Sequence, residues 1–445
     1  MTPSVRLAHL GLGNFFRAHQ AWYTQHADGG SEWPVAAFSG RRPGLAASLD
    51  QQDGRYTLVT RGAQRDDFEV ISSIARAYAA TDHRAWRTTV ASPAVAAVTI
   101  TVTESAYLRS SGGRTDHEHP ALRADVEALG HDISAGVSTV PARLVAGLLA
   151  RRAADAGPIA IVPCDNLPGN GRVIERAVRD VAELVDPTLR PWLDDSVSFV
   201  TSMVDRITPA TTGEHRRLVA DATGWADRAP VVTEPFTEWV LSGAFPAGRP
   251  VWESAGAKFT NDVEPFERRK LWLLNGAHSL LAYAAPARGH ELVADAIDDP
   301  VCRGWVTRWW EEAAAHLDLP DDEITAYRAA LLERFANPRM HHRLDQIAAD
   351  GSQKIAVRIV PTLHLERAAG RSSVGATRAI AGWLWHLRER RDDVRDIDAA
   401  AVIQRADGPL DTAVTAVLSY LDPALADDAV VVQDVRDQAV ELGTR

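Results

Sequence analysis

Short apolar runs alternate with helix-compatible segments through the first half of the chain, and this alternation limits the fold more than any other feature. The runs are Val5–Leu10, Val35–Phe38, Val70–Ile74, Val95–Val102 and Ile159–Val162. Such alternation is typical of βαβ units in a mostly parallel sheet. From about Lys258 the pattern changes to long segments with helical periodicity. We therefore predict an α/β fold, with a Rossmann-type doubly wound sheet followed by a mostly α-helical C-terminal domain.

The domain boundary is predicted where Gly and Pro interrupt the periodicity, around Gly248–Pro250 and Gly256. This assigns residues 1–256 to the sheet domain and residues 257–445 to the helical domain. A chain of 445 residues is too long for one ordinary core, so two domains are expected on length alone.

Composition excludes several classes of protein. A net charge of -11 argues against nucleic-acid binding, and no apolar run is long enough to span a membrane. Only Cys164 and Cys302 are present, which excludes a disulfide framework and a cysteine-based zinc site. The N-terminus lacks the features of a signal peptide, so a cytoplasmic location is expected. We expect a monomer or small homo-oligomer that acts on a small molecule.

Two further patterns are assigned no function. Asp116–His119 and the pair His341–His342 contain metal-binding residue types, but the first has the Gly and Pro neighbours of an exposed loop, and no metal is predicted. Trp305, Trp309 and Trp310 lie at helical spacing and are predicted to belong to the core or to a subunit interface.

The run Val5–Leu10 ends in Gly11-x-Gly13, between a predicted strand and a predicted helix. Glycines at these positions permit a tight turn and a close approach of backbone N–H groups to a pyrophosphate. The usual third glycine is replaced by Phe16, so the motif alone also fits a turn that merely packs the helix on the sheet. The predicted cofactor-binding residues are Gly11, Gly13, Asn14, Phe15, Phe16, Arg41, Thr103 and Glu104.

The choice of cofactor depends on the end of the second strand. An acidic residue there normally binds the ribose of NAD, but this chain continues into Ser39-Gly40-Arg41-Arg42 without a carboxylate. Arg41 is suited to the 2′-phosphate of NADP, to stacking on adenine, or to solvent. NAD is predicted as the cofactor, and NADP remains open.

Lysine is scarce in this chain. Of the 48 basic residues only Lys258, Lys270 and Lys354 are lysines. Arg cannot lose its proton in a protein, whereas a buried Lys can. A lysine retained in an arginine-rich chain is therefore a candidate for acid–base chemistry, unless the three are a random remnant.

Lys270, Asn275 and His278 lie inside a strongly apolar stretch. At about 100° per residue they fall at about 0°, 140° and 80° around an α-helix, on one side of it. Oxidation of an alcohol needs a base for the hydroxyl proton and donors that stabilise the oxygen. Lys270 fits the base and Asn275 a donor, and His278 fits a contact to a substrate hydroxyl. Each residue alone would also fit a polar position on a helix surface.

A second polar cluster, Pro163–Gly171, follows the last clear strand of the first domain. A doubly wound sheet binds its ligand at this edge. Asn166 is predicted to share the oxygen-stabilising role of Asn275, whereas Asn170, between two glycines, is interpreted as a turn residue. Asparagine is also scarce, with six in the chain, which makes its placement in these segments informative.

Together these segments resemble the polyol-specific long-chain dehydrogenases, also called the mannitol dehydrogenase family. The resemblance extends over nearly the whole chain and rests on five segments. They are His9–His19, Pro163–Gly171, Met203–Pro209, Glu234–Phe236 and Lys270–His278. The Lys-x4-Asn-x2-His pattern is highly specific, and Phe in place of the third glycine is a feature of the family.

The resemblance implies metal-independent hydride transfer at C2 of an open-chain ketose or polyol. It implies Lys270 as the general base, and Asn166 and Asn275 as the pair that stabilises the oxyanion. His278 and Asp205 would bind substrate hydroxyls or position Lys270. It also implies a Rossmann domain followed by a helical domain, with the site between them.

The segment Asn337–Lys354 resembles the family's second substrate-binding region. Gln346 and the neighbouring His and Arg residues are closer to mannonate oxidoreductases than to mannitol dehydrogenases, which tend to carry Arg at this position. Arg343, Lys354 and Arg358 are predicted to bind a substrate carboxylate, with D-mannonate and D-fructuronate as the substrates. Structural ion pairs of Arg343 and Arg358 are the alternative interpretation. The other functions left open are a D-mannitol or D-arabinitol dehydrogenase, a polyol-phosphate dehydrogenase, and a non-catalytic dinucleotide-binding protein.

Overall fold

The chain divides into two compact units, the first extending to Glu264 and the second running from Pro265. The computed structural model describes residues 4–40, 43–110 and 113–443. The division falls after Glu264 rather than after the predicted Gly256, because Lys258–Phe259 still forms a strand of the first unit.

The first unit is built on a six-stranded parallel sheet with the order β5-β2-β1-β6-β7-β8. This order is that of the doubly wound nucleotide-binding fold. The sheet contains β1 (Leu7–Leu10), β2 (Val35–Phe38), β5 (Ile74–Tyr78), β6 (Ala97–Ile100), β7 (Ile159–Pro163) and β8 (Val197–Phe199).

Successive residues of these strands are buried in two different cores. On β1, Leu7 packs into one apolar cluster, whereas Ala8 and Leu10 pack into the other. On β2, Val35 belongs to the first cluster and Phe38 to the second. Because side chains alternate along a strand, both faces of the sheet are covered, as the continuously apolar strands require.

Two smaller three-stranded sheets complete the first unit. One has the order β10-β3-β4 and the other β12-β11-β9. Their strands are β3 (Tyr56–Arg61), β4 (Asp66–Ile71), β9 (Thr201–Asp205), β10 (Val231–Thr233), β11 (Glu238–Ser242) and β12 (Lys258–Phe259).

Nine α-helices lie wholly within the described part of the first unit. They are α1 (Asn14–Ala18), α2 (Gln20–His26), α3 (Gly44–Asp50), α4 (His83–Val90), α5 (Pro120–His131), α6 (Val140–Ala153), α7 (Asn170–Val185), α8 (Leu189–Ser196) and α9 (Gly213–Thr223).

In the described residues 265–443 the regular elements are helical. They are α10 (Glu264–Arg269), the π-helix Lys270–Gly276, α11 (Ala277–Ala284), α12 (Val293–Asp298), α13 (Pro300–Ala314), α14 (Asp321–Phe335), α15 (Leu344–Ile347), α16 (Gly351–Arg358), α17 (Val360–Ala368), α18 (Val374–Glu389), α19 (Ala399–Ala406), α20 (Leu410–Leu421), α21 (Pro423–Asp427) and α22 (Ala429–Glu441).

Helix α18 is the centre of this second unit. Every residue from Gly375 to Leu387 is buried, and the helix contacts α11, α13 and α22. A helix that is buried on all sides is the core of a bundle. None of the helices described here combines the length and apolarity that crossing a membrane requires.

The predicted fold class is confirmed, and four of the five predicted strands are present as β1, β2, β6 and β7. The prediction of one strand over Val70–Ile74 is wrong. There β4 ends at Ile71 and β5 begins at Ile74, so the predicted run spans a two-residue connection between two strands in different sheets. Runs of this length do not show where a connection interrupts them.

Candidate active site

The turn after β1 contains a glycine that no other residue could replace without strain. Gly11 has φ +108°, and a Cβ on it would lie 1.9 Å from the backbone oxygen of Thr101, at the end of β6. The Thr101 hydroxyl also donates to the Gly11 carbonyl at 2.8 Å. The carboxyl ends of β1 and β6 are adjacent at the switch point of the sheet, where this fold binds its ligand.

Helix α1 begins after Gly13, but two of the predicted cofactor-binding side chains are engaged within the unit. The Asn14 amide donates to the carbonyl oxygen of Pro209 at 3.0 Å and accepts a bond from Arg17 at 2.6 Å. Phe16 is only 1% exposed and stacks on His9 with the ring centroids 3.5 Å apart. The Phe16 ring is therefore enclosed within the first unit, and the Asn14 amide is already hydrogen-bonded there.

The other predicted cofactor residues lie at the same edge. Thr103 and Glu104 are exposed and follow β6, where Thr103 immediately precedes a short 3-10 helix. Phe15 is half-buried. Arg41 lies outside the described residues. The described candidates thus come from the ends of β1 and β6, which are neighbours in the sheet.

The polar cluster after β7 divides into structural and exposed residues. Asn170 is buried at the start of α7, where its amide donates to the Ser202 carbonyl at 2.9 Å and accepts from the Ser202 N–H at 3.0 Å. It joins α7 to β9 rather than forming a turn. Asp165 accepts the hydroxyl of Tyr107, and burial raises its pKa. Asn166 is exposed at the carboxyl end of β7.

Asp205 is the last residue of β9 and is buried. Its partner in the antiparallel pairing is Glu238 on β11, whose carboxylate lies 3.7 Å from Lys258 Nζ. The first unit therefore places the carboxylates of Asp205 and Glu238 on neighbouring strands. Their spacing in the sequence does not predict this proximity.

The helix that carries Lys270 is not a plain α-helix. Residues Lys270–Gly276 form a π-helix between α10 and α11. A π-helix pairs backbone groups five residues apart. In the π-helix Asn275 therefore lies one hydrogen-bonding repeat, the interval from residue i to residue i+5, after Lys270. In an α-helix the same five positions would separate the two side chains by about 140° around the axis. Both side chains are half-buried.

His278 lies in a buried, cationic environment at the start of α11. It is 8% exposed, and its ring centroid lies 4.8 Å from that of His342, which meets it edge-on. Burial, followed by His342, Arg334 and Arg358, lowers the pKa of His278 well below its usual value. Its Nε2 has no hydrogen-bond partner among the described residues. His278 is thus a neutral imidazole, and this Nε2 is itself buried.

His342 was missed as a site residue because its sequence position gives no sign of the contact with His278. The pair His341–His342 was assigned no function, yet His342 is partly buried and its pKa is lowered to about 4, first by burial and then by Arg334. The sequence signal for it is its place beside Arg343, in the segment that resembles the family's second substrate-binding region.

The three predicted carboxylate-binding cations differ in their surroundings. Arg358 donates from Nη1 to the carbonyl of Asn275 at 3.4 Å and to the hydroxyl of Ser279 at 3.2 Å. Lys354 lies one turn earlier on α16, and burial and the charge of Arg358 lower its pKa. Arg343 is exposed and bonds both oxygens of Asp345 at 3.0 Å, which is the ion pair that the alternative interpretation describes.

One group of potential metal ligands occurs in the second unit. His290, Asp299 and Cys302 have ligand atoms within 4.8 Å of one another. The guanidinium of Arg288 donates to the same Asp299 oxygen as His290 does, at 2.5 Å and 2.9 Å. The other Asp299 oxygen caps α13 through the N–H of Val301. These contacts describe an ion-paired helix cap.

Both units match known protein families. Residues 5–254 match the mannitol dehydrogenase Rossmann domain, and residues 262–442 match the mannitol dehydrogenase C-terminal domain. The chain belongs to the mannitol dehydrogenase family. Members of the mannitol dehydrogenase family are NAD-dependent oxidoreductases acting on CH–OH groups, so the predicted family, enzyme class and cofactor are confirmed.

Relatives in this family act on different substrates. The chain is 36% identical to D-mannonate oxidoreductase of Escherichia coli over 389 residues, 85% of this chain and 79% of the relative. It is 38% identical to D-arabinitol 4-dehydrogenase of Ralstonia nicotianae over 370 residues, 80% and 77% of the two chains. The chain is therefore an oxidoreductase of polyols or sugar acids.

A solved structure extends the likeness to the fold. Mannitol 2-dehydrogenase of Pseudomonas fluorescens, in a ternary complex with NAD and D-mannitol, superimposes with a TM-score of 0.79 at 30% identity. The match covers 99% of this chain and 92% of that one.

Proposed function

We propose that this protein interconverts the C2 ketone of D-fructuronate and the matching secondary alcohol of D-mannonate, both open-chain sugar acids. C2 is counted in the ketose and corresponds to C5 of D-mannonate. The observation that carries the proposal is in the second unit, where the cations Lys354 and Arg358 lie on α16 and Arg358 bonds the helix of Lys270, Asn275 and His278. The likeness to D-mannonate oxidoreductase supports the same substrate.

The first unit would hold NAD at the carboxyl ends of β1 and β6. The fit of the cofactor rests on Gly11, whose position leaves no space for a Cβ. The turn that leads through Gly13 into α1 therefore exposes backbone without a side chain at this position, which suits a pyrophosphate. Thr103 and Glu104 would line the same edge, and Arg41 remains the candidate for the adenosine end. When bound, NAD takes up the hydride that leaves C2.

Lys270 is proposed as the general base. In oxidation, the proton of the C2 hydroxyl passes to Lys270 Nζ as the C–H bond electrons leave as hydride and the carbonyl forms. In reduction, the Lys270 ammonium returns that proton to the oxygen. The amides of Asn275 and Asn166 would donate to the oxygen and stabilise its developing charge.

His278 and Asp205 are proposed to bind the other hydroxyls of the substrate. A neutral imidazole can donate from one nitrogen and accept at the other, which suits a hydroxyl group. The His278 Nε2 that has no partner among the described residues is the atom we assign to this contact. The Asp205 carboxylate would accept from a second hydroxyl.

Lys354 and Arg358 are proposed to bind the substrate carboxylate. They lie one helical turn apart, and burial, followed by the positive charge of Arg358, lowers the pKa of Lys354. An anionic group would relieve this repulsion through charge-assisted hydrogen bonds. Arg343 is the third candidate, although Asp345 already engages its guanidinium.

The test follows the absorbance of reduced cofactor with D-fructuronate, D-fructose and fructose 6-phosphate, each with NADH and with NADPH. We expect the highest kcat/KM for D-fructuronate with NADH. Turnover confined to D-fructose would overturn the acid substrate, and turnover confined to fructose 6-phosphate would indicate a phosphate-specific enzyme. No turnover in any combination would leave a dinucleotide-binding protein.

The matched variants for the base are Lys270→Ala and Lys258→Ala. Loss of a general base lowers kcat by about 10²–10⁴-fold, and we expect this for Lys270→Ala. Lys258, a partly exposed residue on β12, should tolerate the same change within about 2-fold, since it takes no part in general acid–base catalysis. Full activity of Lys270→Ala would remove the proposed base.

A neutral polyol is the second candidate substrate. The complex of the Pseudomonas fluorescens neighbour with D-mannitol and the D-arabinitol specificity of the Ralstonia relative favour it. Gln346 is the sequence feature that argues for the acid, and the comparison of D-fructuronate with D-fructose separates the two.

A further inference from the structure

The π-helix Lys270–Gly276 is bonded from outside by two tryptophans. Trp309 donates from Nε1 to the carbonyl oxygen of Trp272 at 2.8 Å, and Trp310 donates to that of Leu273 at 2.8 Å. Two consecutive indoles on α13 thus bond two consecutive carbonyls near the middle of the π-helix. Both indole rings are buried, with 0% and 1% of the residues exposed.

The position of Trp309 is determined from two sides by glycines. A Cβ on Gly276, the last residue of the π-helix, would lie 2.7 Å from both Nε1 and Cζ2 of Trp309. A Cβ on Gly375 of α18 would lie 2.6 Å from Trp309 Cα. Helix α18 therefore packs directly behind α13, and the indole ring packs directly on the π-helix.

Arg358 bonds a third carbonyl of the same segment, that of Asn275. A carbonyl oxygen can accept two hydrogen bonds, so outside donors add to the backbone bonds. Buried donors in fixed positions favour the backbone form whose carbonyls point at them. A π-helix inside an α-helix is rare and is found mostly at functional sites, so its presence here needs a stabilising contact.

We propose that Trp309 and Trp310 are positioning residues that hold Lys270–Gly276 in the π-helical form, and thereby set Lys270 and Asn275 one hydrogen-bonding repeat apart. This rests on the proposed function, in which Lys270 removes the proton and Asn275 bonds the same oxygen. If the segment relaxed to an α-helix, Asn275 would turn to about 140° from Lys270. Lys270 and Asn275 could then no longer bond the same substrate oxygen.

The first test compares Trp309→Phe and Trp310→Phe with Trp305→Phe. Phe removes the N–H and keeps a ring, and Trp305 lies on the same helix, where it packs under Arg378 instead of on the π-helix. We expect kcat to fall about 10–100-fold in the first two variants, as misplacement of reacting groups does. KM and the affinity for NADH should change less than about 2-fold, and Trp305→Phe should resemble the wild type.

The pH profile separates positioning from general destabilisation. One limb of the kcat–pH profile should come from Lys270 and be absent in Lys270→Ala. In Trp309→Phe and Trp310→Phe this limb should move along the pH axis, because Lys270 would no longer lie at its normal position relative to Asn275. Folded variants with unchanged kcat and an unchanged profile would overturn the proposal. A lower kcat with an unshifted profile would overturn it too, because the effect would not pass through the base.

A second pair of variants covers the case in which the Phe variants fail to fold. Gly276→Ala adds one methyl group against the Trp309 ring, and Gly304→Ala adds one on α13, where nothing lies within 4 Å. Gly276→Ala should reproduce the loss of kcat, and Gly304→Ala should not. Equal activity of the two variants would overturn the proposal.

Amide hydrogen exchange in residues 270–276 tests the proposal without any turnover. Exchange should accelerate at least about 10-fold in Trp309→Phe relative to Trp305→Phe, because a helix that loses its outside donors opens more often. This result is independent of the substrate panel, so failure of the proposed function and failure of the positioning role are distinguishable. Equal protection in the two variants would contradict the positioning role.

Discussion

His342 meets His278 edge-on, with the ring centroids 4.8 Å apart, although 63 residues of chain lie between them. The contact places two imidazoles and the charges of Arg334 and Arg358 in one partly buried region. Both imidazoles are held neutral. The region therefore offers hydrogen bonds from His278 and positive charge from the arginines.

The two histidines make stability depend on pH. The pKa of His342 is lowered from its ordinary value near 6.5 to about 4, chiefly by burial. The unfolded chain thus binds more protons, so stability is complete above about pH 6.5 and falls as the pH drops toward 4. We expect His342→Gln to reduce this loss by on the order of 2 kcal/mol, measured by urea unfolding at pH 7 and pH 4.5.

The control for that measurement is His341→Gln, which changes the exposed neighbouring residue. It should leave the difference between the two pH values unchanged. If His342→Gln behaves in the same way as His341→Gln, the lowered pKa of His342 is not what couples stability to pH.

Gly11→Ala should disrupt the turn after β1. A Cβ there would overlap the Thr101 oxygen, and φ +108° is unfavourable for alanine. We expect a loss of about 3 kcal/mol or more in stability, typical of backbone strain combined with a steric clash, together with a large loss of NADH affinity. Gly130→Ala, in α5 where nothing lies within 4 Å, should be neutral or slightly stabilising. Normal NADH binding by Gly11→Ala would contradict the proposed cofactor turn.

Asn166→Ala and Asn170→Ala should have opposite effects. The buried Asn170 bonds both backbone groups of Ser202, so its loss should cost about 2 kcal/mol or more in stability. Asn166 is exposed and proposed to stabilise the oxyanion, so its loss should lower kcat about 10²-fold with little change in stability. Thermal unfolding and steady-state kinetics on both variants measure this, and an unchanged kcat in Asn166→Ala would remove its catalytic assignment.

Lys354→Gln and Arg343→Gln test the carboxylate site. A charge-assisted hydrogen bond contributes about 1.5–3 kcal/mol, so Lys354→Gln should lower kcat/KM for D-fructuronate about 10–100-fold. For D-fructose, which lacks the carboxylate, the change should be under about 3-fold. Arg343→Gln breaks the surface ion pair with Asp345 and should alter neither substrate more than about 3-fold. A larger effect of Arg343→Gln than of Lys354→Gln would indicate that Arg343, and not Lys354, binds the carboxylate.

Several elements of the fold follow from local pattern. β2 has the predicted bounds of Val35–Phe38, and β1 ends at the predicted Leu10. The two strands that meet at Val70–Ile74 could not be told apart, because the connection at Ser72 and Ser73 contains neither Gly nor Pro to mark it.

The candidate site likewise combines residues that the sequence identifies with a contact that only the tertiary structure creates. The scarcity of Lys and Asn, and their spacing near His278, singled out Lys270 and Asn275 without any structure. Spacing could not reveal the contact of His342 with His278, because it is formed by α11 and the segment before α15, which are distant in the sequence.

The sequence by itself determines the features that depend on a few neighbouring positions. These are the periodicity of strands and helices, the glycines of the turn after β1, and the polar side chains on the helix of Lys270. The π-helical form of that helix depends on tertiary contacts. Its amino acids are compatible with an ordinary α-helix, which is the form that its apolar periodicity predicts. The donors that bond its carbonyls, Trp309, Trp310 and Arg358, come from elements far along the chain and act only after α13 and α16 have packed.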